Sequence, residues 1–253
     1  MNPDEAERAA MDDEPACEGF DRVERGDVTY KVGADLLPSS NGVSYARWRP
    51  EEVEPRALEL IAMFRTRGAA FTWQIGPNTD AVGLSRVLAA NGLRRELDAL
   101  LLVAALPIRG RLPQHDLRLV EETDERTASD AIRIDRDRTV DEVRTGVEAR
   151  LRYLRCPSRR GGGVVAYRRD QPVGYGRWRY GSDGGTVFLS TALTLRPHRH
   201  TGVYTAILGW RLERAVRDGK TAAVVVAERA STAPILMRKG FHEVGGLQVW
   251  SAV

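Results

Sequence analysis

With 253 residues, 42% of them hydrophobic and 29% charged, the chain has an ordinary globular composition, enough for one or two domains with a real core. That balance excludes a disordered or fibrous protein, and no apolar run approaches the roughly 18 residues of a membrane span. The net charge of +3 is uneven: residues 1–24 hold nine acidic side chains against two arginines, a balance of −7, which leaves +10 on the remainder.

Only three of the 38 basic residues are lysine, and the arginines are spread along the chain rather than clustered with aromatics on one face. The excess therefore reads as compositional bias and not as a nucleic-acid surface. Two cysteines, Cys17 and Cys156, lack C-x-x-C spacing and read as free thiols of a reducing compartment. The N-terminus has neither the basic nor the apolar region of a secretory signal, so the expected location is cytoplasmic.

In chain order, residues 1–26 are acidic and poor in large apolar groups, which predicts a disordered tail. Order is expected from near Val28. A strand is predicted at Ala70–Ile75, a helix at Val82–Asn91 closed by Gly92, and a strand at Arg95–Leu106. The stretch Pro107–Pro113 reads as an interdomain linker. Beyond it, a strand is predicted at Leu117–Glu121 and helices at Glu125–Ile134 and Val140–Leu154, the second with Val140, Val143, Val147, Leu151 and Leu154 at helical spacing. Arg159–Gly163 and Tyr180–Gly185 read as loops, and the segment between them as a hairpin turning at Asp170–Pro172. A strand at Thr186–Leu195, a loop at Pro197–Thr201 and a helix at Val203–Asp218 closed by Gly219 follow. Ala222–Ala227 is apolar throughout, as in a buried strand. A short helix at Ser231–Lys239, with Ser231 and Thr232 as its N-cap, leads to a strand pair at Phe241–Gly245 and Leu247–Val253. Gly92–Leu93 stands in its strand-loop-helix unit where Gly240–Phe241 stands in the later one, which suggests an internal duplication.

The informative segment is LTLRPHRHTGVYTAILGWRLERAVRDG, where a strand runs through a loop with Arg199 and Gly202 directly into an amphipathic helix. The first N–H groups of such a helix are unpaired and carry the positive end of its dipole, so they suit an anion, and Gly202 lets one approach the backbone. Taken alone, this is equally an ordinary strand-to-helix connection.

From about residue 115 to 253 the sequence resembles the GNAT family of N-acetyltransferases. The family's acyl-CoA loop is Gln/Arg-x-x-Gly-x-Gly/Ala, and Arg199-His200-Thr201-Gly202-Val203-Tyr204 matches its first two fixed positions. A second family signature, a strand, a short helix and a Gly-Phe pair, stands here as AAVVVAERASTAPILMRKGFHEVG. The resemblance implies an α/β (α+β) GNAT fold, a mixed central sheet flanked by helices, with two GNAT-like units in tandem. Residues 27–110 would be a degenerate GNAT-like domain, without the loop motif, and 115–253 the acetyltransferase domain. It implies acetyl-CoA as co-substrate and no metal; the four histidines and two cysteines are too scattered to hold one. Pantetheine would hydrogen-bond the backbone of Leu193, Thr194 and Leu195. The pyrophosphate would take N–H groups from His200, Thr201, Gly202, Val203, Tyr204 and Thr205, with Arg199 heading the motif.

Three positions depart from the family pattern: Tyr204 where Gly or Ala is usual, Arg196 where a proline is common, and Leu236 where many members carry the tyrosine that protonates the departing thiolate. The expected reaction is direct transfer of acetyl to a primary amine of a small molecule in a ternary complex, with Glu228 as base and Tyr204 as the replacement acid. Each has a plainer reading, Glu228 as a solvated strand-end carboxylate and Tyr204 as a packing residue. His198 and His200 are loop histidines that either relay a proton or do nothing. Trp48 and Trp73 either wall the acceptor site or pack the core, and Arg177 and Arg179 favour an acidic acceptor or are solvated. The alternative function is a non-catalytic acyl-CoA-binding regulatory protein, motivated by Leu236. No membrane and no nucleic-acid partner is expected, and the chain is expected as a monomer or a homodimer.

Overall fold

The computed structural model describes residues 1–79, 81–108, 116–134 and 140–252. Helices α1 (Pro3–Ala10) and α2 (Pro15–Glu18) precede strands β1 (Phe20–Arg25), β2 (Val28–Gly33) and β3 (Gly42–Ser44). Helix α3 (Pro50–Thr66), strand β4 (Phe71–Ile75), helix α4 (Ala81–Ala90) and strand β5 (Arg94–Ala105) follow. Next come β6 (Arg118–Glu121), α5 (Glu125–Arg133), α6 (Val140–Arg155), β7 (Gly161–Arg168), β8 (Gln171–Tyr180), β9 (Thr186–Phe188) and β10 (Ala192–Thr194). A 3-10 turn at Arg196–His198 leads to α7 (Val203–Arg217), β11 (Ala222–Glu228), α8 (Thr232–Met237) and β12 (His242–Ala252).

Two compact units result, residues 1–102 with 226–253, and residues 103–225. These units differ from the expected division into 27–110 and 115–253 in where the end of the chain belongs, and the reason is strand pairing. β12 lies antiparallel to β4, from Gln248 opposite Ile75 to Ala252 opposite Phe71, so the end of the chain completes the first unit's sheet. The expected pair of terminal strands is this one strand. Of the expected linker, residues 109–113 lie outside the described residues.

In the first unit the strand order is β1-β2-β3-β4-β12-β5, with β3 parallel to β4. On α3, Val53, Ala57, Leu60, Ile61 and Phe64 are buried, a single stripe at helical spacing. They share a core with Phe71, Trp73 and Ile75 of β4. Phe64 stacks on Phe71 at 4.6 Å, and Trp48 meets Trp73 edge-on at 6.1 Å. Burial of each such side chain contributes about 1.5–3 kcal/mol. Trp48 and Trp73 are therefore core residues of this unit.

The acidic segment 1–26 is ordered, against expectation. Asn2 caps α1: its Oδ1 accepts the Glu5 N–H at 2.9 Å and Glu5 Oε2 accepts the Asn2 N–H at 2.8 Å, with Pro3 in the first turn. The negative charges stand where the helix dipole favours them. Asp4 is held by the Tyr45 hydroxyl at 2.6 Å and by Arg47, and Ala6, Glu7 and Ala9 are buried. β1 and β2 form a hairpin from Phe20 opposite Gly33 to Arg25 opposite Val28. Low hydropathy failed as a disorder signal because capping, ion pairs to distant residues and the burial of Ala6, Ala9, Met11, Cys17 and Phe20 hold the segment. The Tyr45 hydrogen bond, with Arg8 and Arg47, holds the Asp4 carboxyl at about 2, down from the ordinary 3.8. A depressed carboxyl stabilises above its unfolded value and loses that contribution as pH falls through the folded one. Asp4→Asn is accordingly expected to lower the Tm at neutral pH, with the gap to wild type closing toward about pH 2. Thermal melts across that range check this, and a gap independent of pH would refute it.

In the second unit the order is β11-β9-β8-β7-β6, with β10 beside β8. β9 runs parallel to β11 and the other pairs are antiparallel. Residues of β8 alternate between two helical layers. A Cβ on Gly174 or Gly176 would collide with Val203 or Ile207 of α7, whereas Tyr175 packs with Ala131 and Ile134 on the α5 side. Of the expected loop at Arg159–Gly163, only Arg159 and Arg160 lie outside a strand, and Gly161–Gly163 start β7. Side chains at Gly161, Gly162 and Gly163 would strike the Trp178 backbone, the Trp178 ring and the Glu122 carboxylate, so the glycines are packing devices. Glu122 and Arg150 form a buried bidentate pair, Nε to Oε1 at 2.8 Å and Nη2 to Oε2. The hairpin turns on Arg169 and Asp170, at φ 48° and 64°, which places Pro172 inside β8 rather than in the turn.

Neither cysteine is a free thiol, which removes the cysteine argument for a reducing compartment. Among the described residues no helix is long and apolar enough to cross a membrane.

Candidate active site

The strand expected at Thr186–Leu195 is interrupted, and the interruption builds the site. β9 pairs on both sides: Phe188 stands opposite Arg179 of β8 and beside Val224 of β11, and the Leu189 N–H reaches the Val224 carbonyl at 2.8 Å. By Ala192 the strand stands opposite Gly176, so it advances four residues while β8 advances three. One extra residue makes a β-bulge. Past it, β10 pairs, among the described residues, with β8 alone. The Arg177 N–H donates to the Thr191 carbonyl and the Leu195 N–H to the Val173 carbonyl, so the odd positions of β10 spend their backbone groups on β8. Those of Ala192 and Thr194 face the open edge. Leu193 is exposed there, at 37%, as no core leucine is.

The loop after β10 is shaped by two left-handed residues, His200 at φ 61° and Gly202 at φ 85°. The second precedes the first helical residue, Val203, and among the described residues no side chain caps the helix. The first backbone donor of α7 with a protein acceptor is Ala206, bonded to the Gly202 carbonyl at 2.9 Å. Among the described residues, the N–H groups from His200 to Thr205 thus meet no protein acceptor, and they stand at the positive end of the helix dipole. Successive donors in such a turn form a concave anion cradle. Positive side chains frame it: Arg168 Nη2 donates to the Thr201 carbonyl at 3.4 Å, and Arg199 Nε to the Thr194 carbonyl at 3.4 Å. An open strand edge running into an anion cradle fits a long ligand with a hydrogen-bonding arm and a phosphate group.

No protein-family model matches the sequence, and no curated protein matches it. Solved structures do. A GCN5-related N-acetyltransferase from Kribbella flavida superposes at TM-score 0.72 with 15% identity, over 97% of this chain and 95% of that one. A tandem GNAT protein from the clavulanic acid biosynthesis pathway gives 0.61 with 15% identity, over 89% of this chain and 78% of that one. A GCN5-related N-acetyltransferase from Sphaerobacter thermophilus gives 0.57 with 16% identity, over 89% and 76%. The chain has the GNAT fold. Its mixed sheet flanked by helices and its likeness to a tandem GNAT protein agree with the sequence expectation.

The unit formed by residues 103–225 contains the ten residues expected at the donor site, from Leu193 to Thr205. Tyr204 lies one residue into α7. Burial pushes its phenol above the ordinary 10.0 while the charge of Arg211 pulls against the shift. Glu228 ends β11 and falls in the other unit, where its exposed carboxylate accepts the Ser231 hydroxyl. Ser231 therefore serves Glu228 and makes no side-chain cap on α8. Leu236 is fully buried. Arg177 sits 5.2 Å from the Tyr153 ring, and Arg179, buried, 5.2 Å from that of Phe188, so neither is a solvated edge residue. Among the described residues no group of three or more His, Cys, Asp or Glu could hold a metal.

Sequence reasoning missed Ala192, Arg168 and the glycine pair Gly174 and Gly176. The pair was visible as G-x-G in a strand, which strips one face of side chains so that a helix can approach. Arg168 carried no signal, since its role depends on the hairpin bringing β7 alongside the loop.

Proposed function

We propose that this protein is an acetyl-CoA-dependent N-acetyltransferase acting on a primary amine of a small molecule. The observation that carries the reading is the cradle of unpaired N–H groups from His200 to Thr205 at the end of an open-edged strand. Pyrophosphate fits the cradle, and pantetheine fits the edge through Ala192 and Thr194, in place of the Leu193 and Leu195 backbone that β8 occupies. Acetyl-CoA supplies the thioester. The neutral amine attacks its carbonyl, the C–N bond forms, the C–S bond breaks, and the amine gives up a proton. In this reading Glu228, directly or through water, takes that proton, and Tyr204 gives one to the departing thiolate. A phenol raised above 10.0 stays protonated at neutral pH, as an acid must. Arg177, which is half-buried, favours an acceptor with an acidic group. The cytoplasm is the proposed location.

Calorimetric titration with acetyl-CoA, followed by turnover on an amine panel, tests this. Tyr204→Phe is expected to lower kcat by about a hundredfold with little change in KM for acetyl-CoA. The wild-type alkaline limb should lie above pH 10.0, because an acid fails as pH rises through its raised value. A limb near neutrality, or an unchanged kcat, removes Tyr204 from the reaction. One observation favours a second reading: Leu236, buried, occupies the usual place of the acid, as suits a non-catalytic acyl-CoA-binding regulatory protein. Tight binding without turnover on any amine selects it.

A further inference from the structure

Arg211 of α7 is only 2% exposed, yet no carboxylate pairs with it among the described residues. Its Nη1 donates to the Arg177 carbonyl at 2.7 Å and to the Ser190 carbonyl at 2.9 Å, while its Nε has no partner among the described residues. Burying a guanidinium against neutral acceptors is costly, and burial pulls it down to about 10. Something must depend on it. The two carbonyls identify what. Arg177 and Ser190 face each other across the extra residue that separates β9 from β10, where a regular ladder would have supplied both acceptors with backbone donors. Gly176, between them and the helix, has no side chain, and a Cβ there would stand 3.1 Å from the guanidinium carbon. The bulge, the glycine and the arginine are one device.

We infer that Arg211 is a positioning residue: by occupying the carbonyls of Arg177 and Ser190 it fixes the bulge at which the strand leaves β11, and so holds open the edge that receives the acyl end of the donor. This rests on the acyltransferase reading above. Without the guanidinium both carbonyls are buried without donors, and the strand satisfies them by shifting toward regular pairing, which closes the edge. The anion cradle, beyond β10, is left in place. Loss of Arg211 therefore separates the two ends of the donor site.

Titration of the full chain with acetyl-CoA and, separately, with 3′-phosphoadenosine 5′-diphosphate, its nucleotide half, reads that separation. In R211M, acetyl-CoA affinity is expected to fall at least about tenfold while nucleotide affinity stays within about twofold. R211K, whose ammonium can donate to both carbonyls, should recover most of the loss. Equal losses for both ligands would make Arg211 a general support of the fold and overturn the inference, as would unchanged acetyl-CoA affinity. Should R211M not fold, R211Q is read by the same two ligands. A wild type that binds the nucleotide but not acetyl-CoA, or neither, defeats the acyltransferase reading itself, and the inference falls with it.

Discussion

Gly202→Glu is expected to weaken acetyl-CoA binding by at least about a hundredfold without unfolding the protein. Two effects act at this position, and they can be separated. The backbone is left-handed at φ 85°, so any side chain costs roughly 1 kcal/mol of conformational strain. Gly202→Ala carries that cost alone. The glutamate adds a carboxylate beside N–H groups that have no other acceptor, where it competes for them and repels a pyrophosphate. Alanine should therefore shift the Tm about as much as glutamate and reduce affinity far less. Calorimetry and thermal melts on the three proteins decide it. If the glutamate variant binds like wild type, the loop does not hold the pyrophosphate, and the donor site lies elsewhere.

Gly202 was legible in the sequence because its signal is local: a strand, a short loop with one glycine, then an amphipathic helix. The bounds of β11 and α7 followed from the same kind of information, a run of small apolar residues and a helical stripe closed by Gly219. What failed was whatever depended on distant partners. TVFLSTALTL reads as one continuous strand and gives no sign of its bulge, because the guanidinium that bonds the Arg177 and Ser190 carbonyls there comes from Arg211, on a helix that reads as ordinarily amphipathic. The end of the chain contains Gly245 and Gly246, which read as a turn, yet one strand runs through them and goes on, from Gln248, to pair with β4. The N-terminal residues read as a tail because their order rests on Asp4 reaching Tyr45 and Arg47, more than forty positions away. Local punctuation was visible, and long-range pairing was not.

Gly174→Val is expected to damage fold and site together. A Cβ at this position would collide with Cγ1 of Val203 and lie 3.0 Å from Cδ1 of Ile207 and 3.2 Å from the Leu193 carbonyl oxygen. Val203 and Ile207 are 1% and 0% exposed, so neither can swing aside into solvent, and the carbonyl belongs to the β10 backbone. The helix must lift from the sheet, at about 1–3 kcal/mol, which for a chain of this size lowers the Tm by roughly 2–12 °C. Lifting begins at its first turn, since Val203 follows Gly202 directly, and that moves the anion cradle away from the end of β10. Acetyl-CoA affinity should fall with the Tm rather than independently of it. Val203→Ala removes the colliding methyls and leaves a small cavity of its own. If the contact is the cause, the double variant Gly174→Val with Val203→Ala will be more stable, and bind more tightly, than the sum of the single losses allows. Strict additivity would mean that α7 is not seated by the bare face of β8, and that some other contact places the start of the helix beside the strand.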